Sequence, residues 1–241
     1  MKKLLLMFFT ITMITAISGC SLFTKEVDYQ KIADDLNKKN MDAILNSTSK
    51  KFAKYEQDYY VVKDVNKNEE TDEIYINGTF NTKNSTADGI AQRSVELSSS
   101  SNKKGNNNIK NYPQFNVVYS NGEYSVRKGK KDIDIPFVFD KLQGLEKIKP
   151  DHYTYGLDEP PMVIYKLSEK EFNQIINDDL QIKYDKFKSA SIFISLKEVN
   201  KKLIIEDIRV GVTWETKENG NLKMYVMNNT LYPKEMGRKG E

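Results

Sequence analysis

Phe187-Lys188-Ser189-Ala190-Ser191-Ile192-Phe193-Ile194-Ser195-Leu196, followed by Lys201–Trp214 (KKLIIEDIRVGVTW), decides the fold. In the first run Ala190, Ile192, Ile194 and Leu196 recur at every second residue, with Ser189, Ser191 and Ser195 between them. In the second, Ile208, Val210, Val212 and Trp214 do the same. Successive side chains of a strand point to opposite faces, so a period of two marks strands with one buried face. Leu222–Asn228 repeats the alternation beyond the turn Lys217-Glu218-Asn219-Gly220. The last quarter of the chain therefore reads as an antiparallel meander.

Upstream the same period runs through Tyr59–Val65, Glu73–Phe80 and Ile90–Leu97, with Asn77-Gly78 as a turn or a bulge inside the second. Gln114–Ser120 and Glu123–Lys128 flank Ser120-Asn121-Gly122, a strong hairpin signal. Ser98–Asn111 (SSSSNKKGNNNIKN) is of low complexity and reads as a flexible loop or hairpin tip. Met162–Leu167 is a short strand after the Tyr-, Asp- and Pro-rich connector Asp151–Pro161.

Helical spacing appears in three places. Asp28–Leu45 places Ile32, Ala33, Leu36, Met41, Ile44 and Leu45 on one side, with Asn37–Asn40 splitting it into two short helices or kinking one. Its polar face mixes Lys with Asp, which favours packing on a sheet over lying on a membrane. From Pro136 to Pro150, Val138, Leu142, Leu145 and Ile148 recur at three and four residues, with Gly144 inside. Ser168 and Glu171 make a capping box that opens a helix burying Phe172, Ile175 and Ile176, with Asp178-Asp179 at its end. No linker with a change of composition divides the chain. It reads as one α+β domain over residues 28–232, followed by a polar tail at 233–241.

The N-terminus has another character. Lys2 and Lys3 precede an apolar run from Leu4 to Ile17, which is short for a membrane span. Ile17-Ser18-Gly19-Cys20 resembles the lipobox of the bacterial lipoprotein signal. That resemblance implies a signal peptide at 1–19, a diacylglycerol and palmitate anchor on Cys20, and a short tether at 20–27. It also implies lipoprotein-processing enzymes as partners, and residence on the extracytoplasmic side of the cell membrane, on a Gram-positive surface. Cys20 is the only cysteine, so the domain has neither a disulfide nor a thiolate metal site. Loss of Lys2 and Lys3 takes the formal net charge from +3 to about +1, with signs interspersed, which gives no footprint for nucleic acid.

No nucleophile elbow, phosphate-cradling loop, dinucleotide fingerprint or zinc-protease motif occurs. His152 is the only histidine, and a Ser-His-Asp system would need it beside Asp151 or Asp158; its plainer place is a polar connector. Asp34-Asp35 and Asp178-Asp179 lack the spacing of a calcium loop. The 14 tyrosines are first of all strand formers. The expectation is a protein that is not an enzyme, with no catalytic residue, metal or cofactor.

Asp28–Phe52, Ser168–Asp178 and Phe187–Trp214 together resemble the LolA/LppX-like group of lipid-handling lipoproteins. The resemblance implies a strongly curved antiparallel sheet, an open half-barrel, covered by two or three helices. Acyl chains would lie between the layers, where Ile192, Ile194, Ile208, Val210 and Val212 would touch them. The plainer reading of those five residues is a filled core. Two functions follow: a non-catalytic binding protein for a lipid or other hydrophobic ligand, or alternatively a cell-surface interaction or immunity-type lipoprotein that binds a protein or peptide.

Overall fold

The computed structural model describes residues 24–47, 51–64, 68–99, 108–126, 135–156 and 159–234. The lipobox, residues 100–107 of the polar loop, Asp158 and tail residues 235–241 lie outside them. A curved, open antiparallel sheet of ten strands carries the fold, with short helices on its concave side. The strands are β2 (Phe52–Lys63), β3 (Asn68–Asn81), β4 (Thr86–Ser99), β5 (Asn108–Asn111), β6 (Phe115–Ser120), β7 (Glu123–Val126), β9 (Met162–Leu167), β10 (Lys186–Val199), β11 (Lys202–Glu218) and β12 (Asn221–Lys234). Their spatial order is β7-β6-β4-β3-β2-β12-β11-β10-β9, with β5 beside β4. A separate two-stranded ladder joins β1 (Lys25–Glu26) to β8 (Thr154–Tyr155).

The period-two runs form the strands, and most strands extend well beyond the apolar alternation. The meander pairs Ile192 with Val210 and Ile194 with Ile208, all on the concave face. Asn121-Gly122 and Asn219-Gly220 take positive φ at both residues, matching the hairpin turns that the right-handed strand twist favours. A register shift between Phe187 and Ser189 leaves Lys188 as an extra residue that bends β10, and one opposite Ser195 and Leu196 leaves Glu206 as an extra residue that bends β11. The sheet curls strongly. Tyr124 on β7 donates to Gln57 on β2 at 2.9 Å, yet strands four apart in a flat sheet lie about 19 Å from each other, beyond the reach of two side chains.

Four sequence expectations need correction. Asn77-Gly78 is neither turn nor bulge, because Gly78 pairs in register with Gly89 and Tyr55 inside β3. Asn108–Asn111 is strand β5 on the edge of β4, and Lys25–Glu26 of the expected tether is strand β1. The stretch after Pro136 is not a helix: it runs as two 3-10 turns, Val138–Asp140 and Leu145–Lys147, separated by Gly144 at φ +89°. Val138, Leu142 and Leu145 are still buried, so the spacing reported burial correctly and conformation wrongly.

The remaining cover is helical. α1 (Tyr29–Asn37) is capped by Asp28, whose carboxylate accepts from the Lys31 amide at 3.1 Å, and it buries Ala33 and Leu36. α2 (Met41–Ile44) follows after Lys39 at positive φ, so the expected helix is two short ones. The capping box at Ser168 and Glu171 opens α3 (Glu169–Phe172), a π-turn (Asn173–Asn177) and α4 (Asp178–Leu180), which bring Phe172, Ile175 and Ile176 onto the sheet.

Candidate functional site

A cleft of about 650 Å³ opens in the concave face, within the size range of small-molecule sites. Its floor comes from three adjacent strands: Tyr59 and Val61 on β2, Met227 and Tyr225 on β12, and Trp214 on β11, with Thr216 next along β11 and Glu218 at the mouth. Facing walls are Gly122–Tyr124 from the β6–β7 hairpin, Ile135–Val138 with Lys141, and Asp179 and Leu180 at the end of α4 with Ile182 and Lys183 beyond it. Alternation puts the floor side chains on one face, and curl brings the hairpin over them.

The floor is aromatic. Trp214 and Tyr225 are direct cross-strand partners, stacked with ring centroids 5.4 Å apart and planes 11° from parallel. Trp214 is only 8% exposed, so the cleft reaches well into the protein. Ions ring the mouth. The Tyr225 hydroxyl donates to Glu218, and Lys223 and Lys63 lie 3.2 and 3.3 Å from that carboxylate. Those partners, the tyrosine foremost, hold Glu218 at a pKa of about 2. Lys141 and Asp179 form an ion pair at 3.0 Å across two walls.

A buried polar network ties the covering segment to the sheet behind the cleft. Tyr124 donates to Gln57 Oε1, which leaves Tyr55 to donate to the Tyr124 hydroxyl at 2.8 Å. Gln57 Nε2 donates to Asn229 Oδ1 at 2.8 Å and to the Pro136 carbonyl at 2.9 Å, and Asn229 Nδ2 reaches the same carbonyl at 2.6 Å. Burial pushes the Tyr124 hydroxyl far above its ordinary pKa, so it stays a neutral donor. Tyr119 donates to Asp140, whose carboxyl burial pushes upward. Phe137 packs within 6 Å, centroid to centroid, of Tyr55, Phe80, Tyr119, Tyr124 and Phe139.

Ile192, Ile194, Ile208, Val210 and Val212 do come together, but elsewhere. Each is at most 2% exposed, in the cluster with Leu36, Leu145 and Phe172, and none lines this cleft. His152 bridges β9 through its backbone to Ile164, while the Asp151 carboxylate accepts from the Lys166 amide at 2.9 Å. Asp34 pairs with Lys38 just past the end of α1, and Asp35 with Lys31 within it. Among the described residues no cluster of three His, Cys, Asp or Glu could hold a metal ion. Cys20 lies outside them.

No family model and no curated protein matches the chain. The crystal structure of ywiB protein from Bacillus subtilis resembles it at 9% identity and a TM-score of 0.20, covering 79% of this chain and 97% of that one. A DUF1329 family protein from Desulfovibrio piger resembles it at 11% identity and a TM-score of 0.22, covering 88% and 95%.

Proposed function

We propose that this chain is a lipid-anchored, non-catalytic binding protein on the extracytoplasmic side of the membrane, and that its cleft holds a hydrophobic or amphipathic ligand. One observation carries the reading: an aromatic and aliphatic floor sunk into the concave face, with ion pairs confined to the mouth. Apolar burial drives such binding, and a few polar groups fix orientation. Asp179 and Glu218 are already engaged by lysines, which suits a rim that excludes water more than one that moves protons. The lipobox at Ile17–Cys20 supports anchoring from sequence.

Trp214 is the only tryptophan, so its fluorescence reports on the cleft alone. Titration of the protein from Ser21 onward with bromododecanoic acid should quench that emission to a plateau, because bromine quenches on contact. Native mass spectrometry should show the matching added mass. Emission that stays constant, with a bare polypeptide mass, would sink the reading.

A further inference from the structure

We infer that the surface around β1 and β8 docks on the bilayer that carries the anchor. The inference rests on lipidation of Cys20. Two observations independent of the cleft carry it. First, Lys25 is already held in the fold, paired with Tyr155, and Val27 donates its amide to the Tyr153 carbonyl at 2.8 Å. Five residues span at most about 18 Å, so the fold begins within that distance of the lipidated residue. While Cys20 stays in the bilayer, the ladder between β1 and β8 therefore stays within about 18 Å of its surface.

Second, the side chains gathered there suit an interface. Lys25 sits over the Tyr155 ring at 5.8 Å and Lys149 over the Tyr153 ring at 5.8 Å. Tyr29 from α1 packs on Tyr153, with centroids 5.0 Å apart. All three tyrosines are half-buried and both lysines exposed. Tyrosines, with an apolar body and a polar tip, collect at the headgroup level, and lysines reach outward from it toward anionic lipid. Glu26, Asp28 and Asp151 are exposed nearby, so the surface is not a polybasic one. The covalent lipid supplies the affinity, and the tyrosine–lysine cluster sets the orientation.

The test uses the full lipidated chain in vesicles of phosphatidylglycerol and phosphatidylcholine. A fluorophore is placed on Lys147→Cys, beside the cluster, or on Asn219→Cys, in the β11–β12 turn; Lys147 is 80% exposed, so the label is tolerated. Headgroup-attached quencher should act several-fold more strongly at 147 than at 219. Lys25→Glu with Lys149→Glu should narrow that difference while the lipid stays on Cys20. Equal quenching at both positions of a chain whose mass shows the lipid would overturn docking and leave anchoring intact. A mass without lipid would overturn both.

Discussion

Gly78 shows how one atom sets the interior. A Cβ there would lie 2.7 Å from two ring carbons and the hydroxyl oxygen of Tyr55, closer than real contacts allow. Tyr55 is fully buried and starts the hydrogen-bond relay to Tyr124 and Gln57, so it cannot step aside. Gly78→Ala should therefore cost about 1–3 kcal/mol of stability, as overpacking does. A chemical-denaturation midpoint unchanged by the substitution would contradict this. Asp58 is the complementary case on the convex face. Partial burial first, then the neighbouring Glu73, push its carboxyl to a pKa of about 6, against the pull of Arg209. The raised value means that the folded state holds a proton the unfolded state has released. Stability should thus be highest below pH ~4 for this group and fall as pH rises from there to about 6. Asp58→Asn should flatten that slope and raise the denaturation midpoint at neutral pH. A slope identical to that of the parent protein would reject the assignment.

At the scale of elements, legibility followed the period. Strands with a buried face announce themselves by alternation, and the meander, strands β2 to β4 and the hairpin at Asn121-Gly122 were all readable for that reason. The capping box at Ser168 was readable because its chemistry is local. Ile135–Leu145 was not, because tertiary contacts outvote its helical spacing. The Pro136 carbonyl is claimed by Gln57 and Asn229, residues 79 and 93 positions away, and Gly144 takes a φ that breaks a helix. Such partners leave no trace in a local window. The consequence can be tested on Gln57, a fully buried amide that makes three hydrogen bonds. Gln57→Leu would keep the volume but remove the acceptor that Tyr124 donates to, leaving one hydroxyl proton of the Tyr55–Tyr124 pair without a partner, and weaken the hold on Pro136, costing about 1–3 kcal/mol. Hydrogen exchange should then speed up in residues 135–145 more than in β10. Uniform acceleration would mean that the network serves the whole fold and does not clamp this segment. Ser168→Ala offers a control distant from the network: loss of the cap should cost about 1 kcal/mol without touching exchange at 135–145.

For the molecule as a whole the question is where a hydrophobic ligand sits, since the sheet offers two apolar regions on one face. The first was legible: Ile192, Ile194, Ile208, Val210 and Val212 stand out by alternation, and all five are buried in the core. The second was not, because the cleft is assembled from β2, the β6–β7 hairpin, the segment after Ile135, the end of α4 and two later strands. Only curl brings these together, and curl is a property of the sheet rather than of any run of residues. The two regions give opposite responses to substitution. Ile192 is fully buried, so Ile192→Ala should cost about 2–5 kcal/mol, as large-to-small changes in a filled core do, while quenching of Trp214 by bromododecanoic acid keeps its midpoint. Val61 is half-buried on the cleft floor, so Val61→Trp can grow into open space. It should leave the denaturation midpoint nearly unchanged and weaken probe binding at least tenfold, read by native mass spectrometry since a second tryptophan would confuse the fluorescence. If Ile192→Ala instead weakened binding and Val61→Trp did not, the ligand would lie between sheet and helices. The resemblance to the lipid carriers would then describe this chain better than its own cleft does.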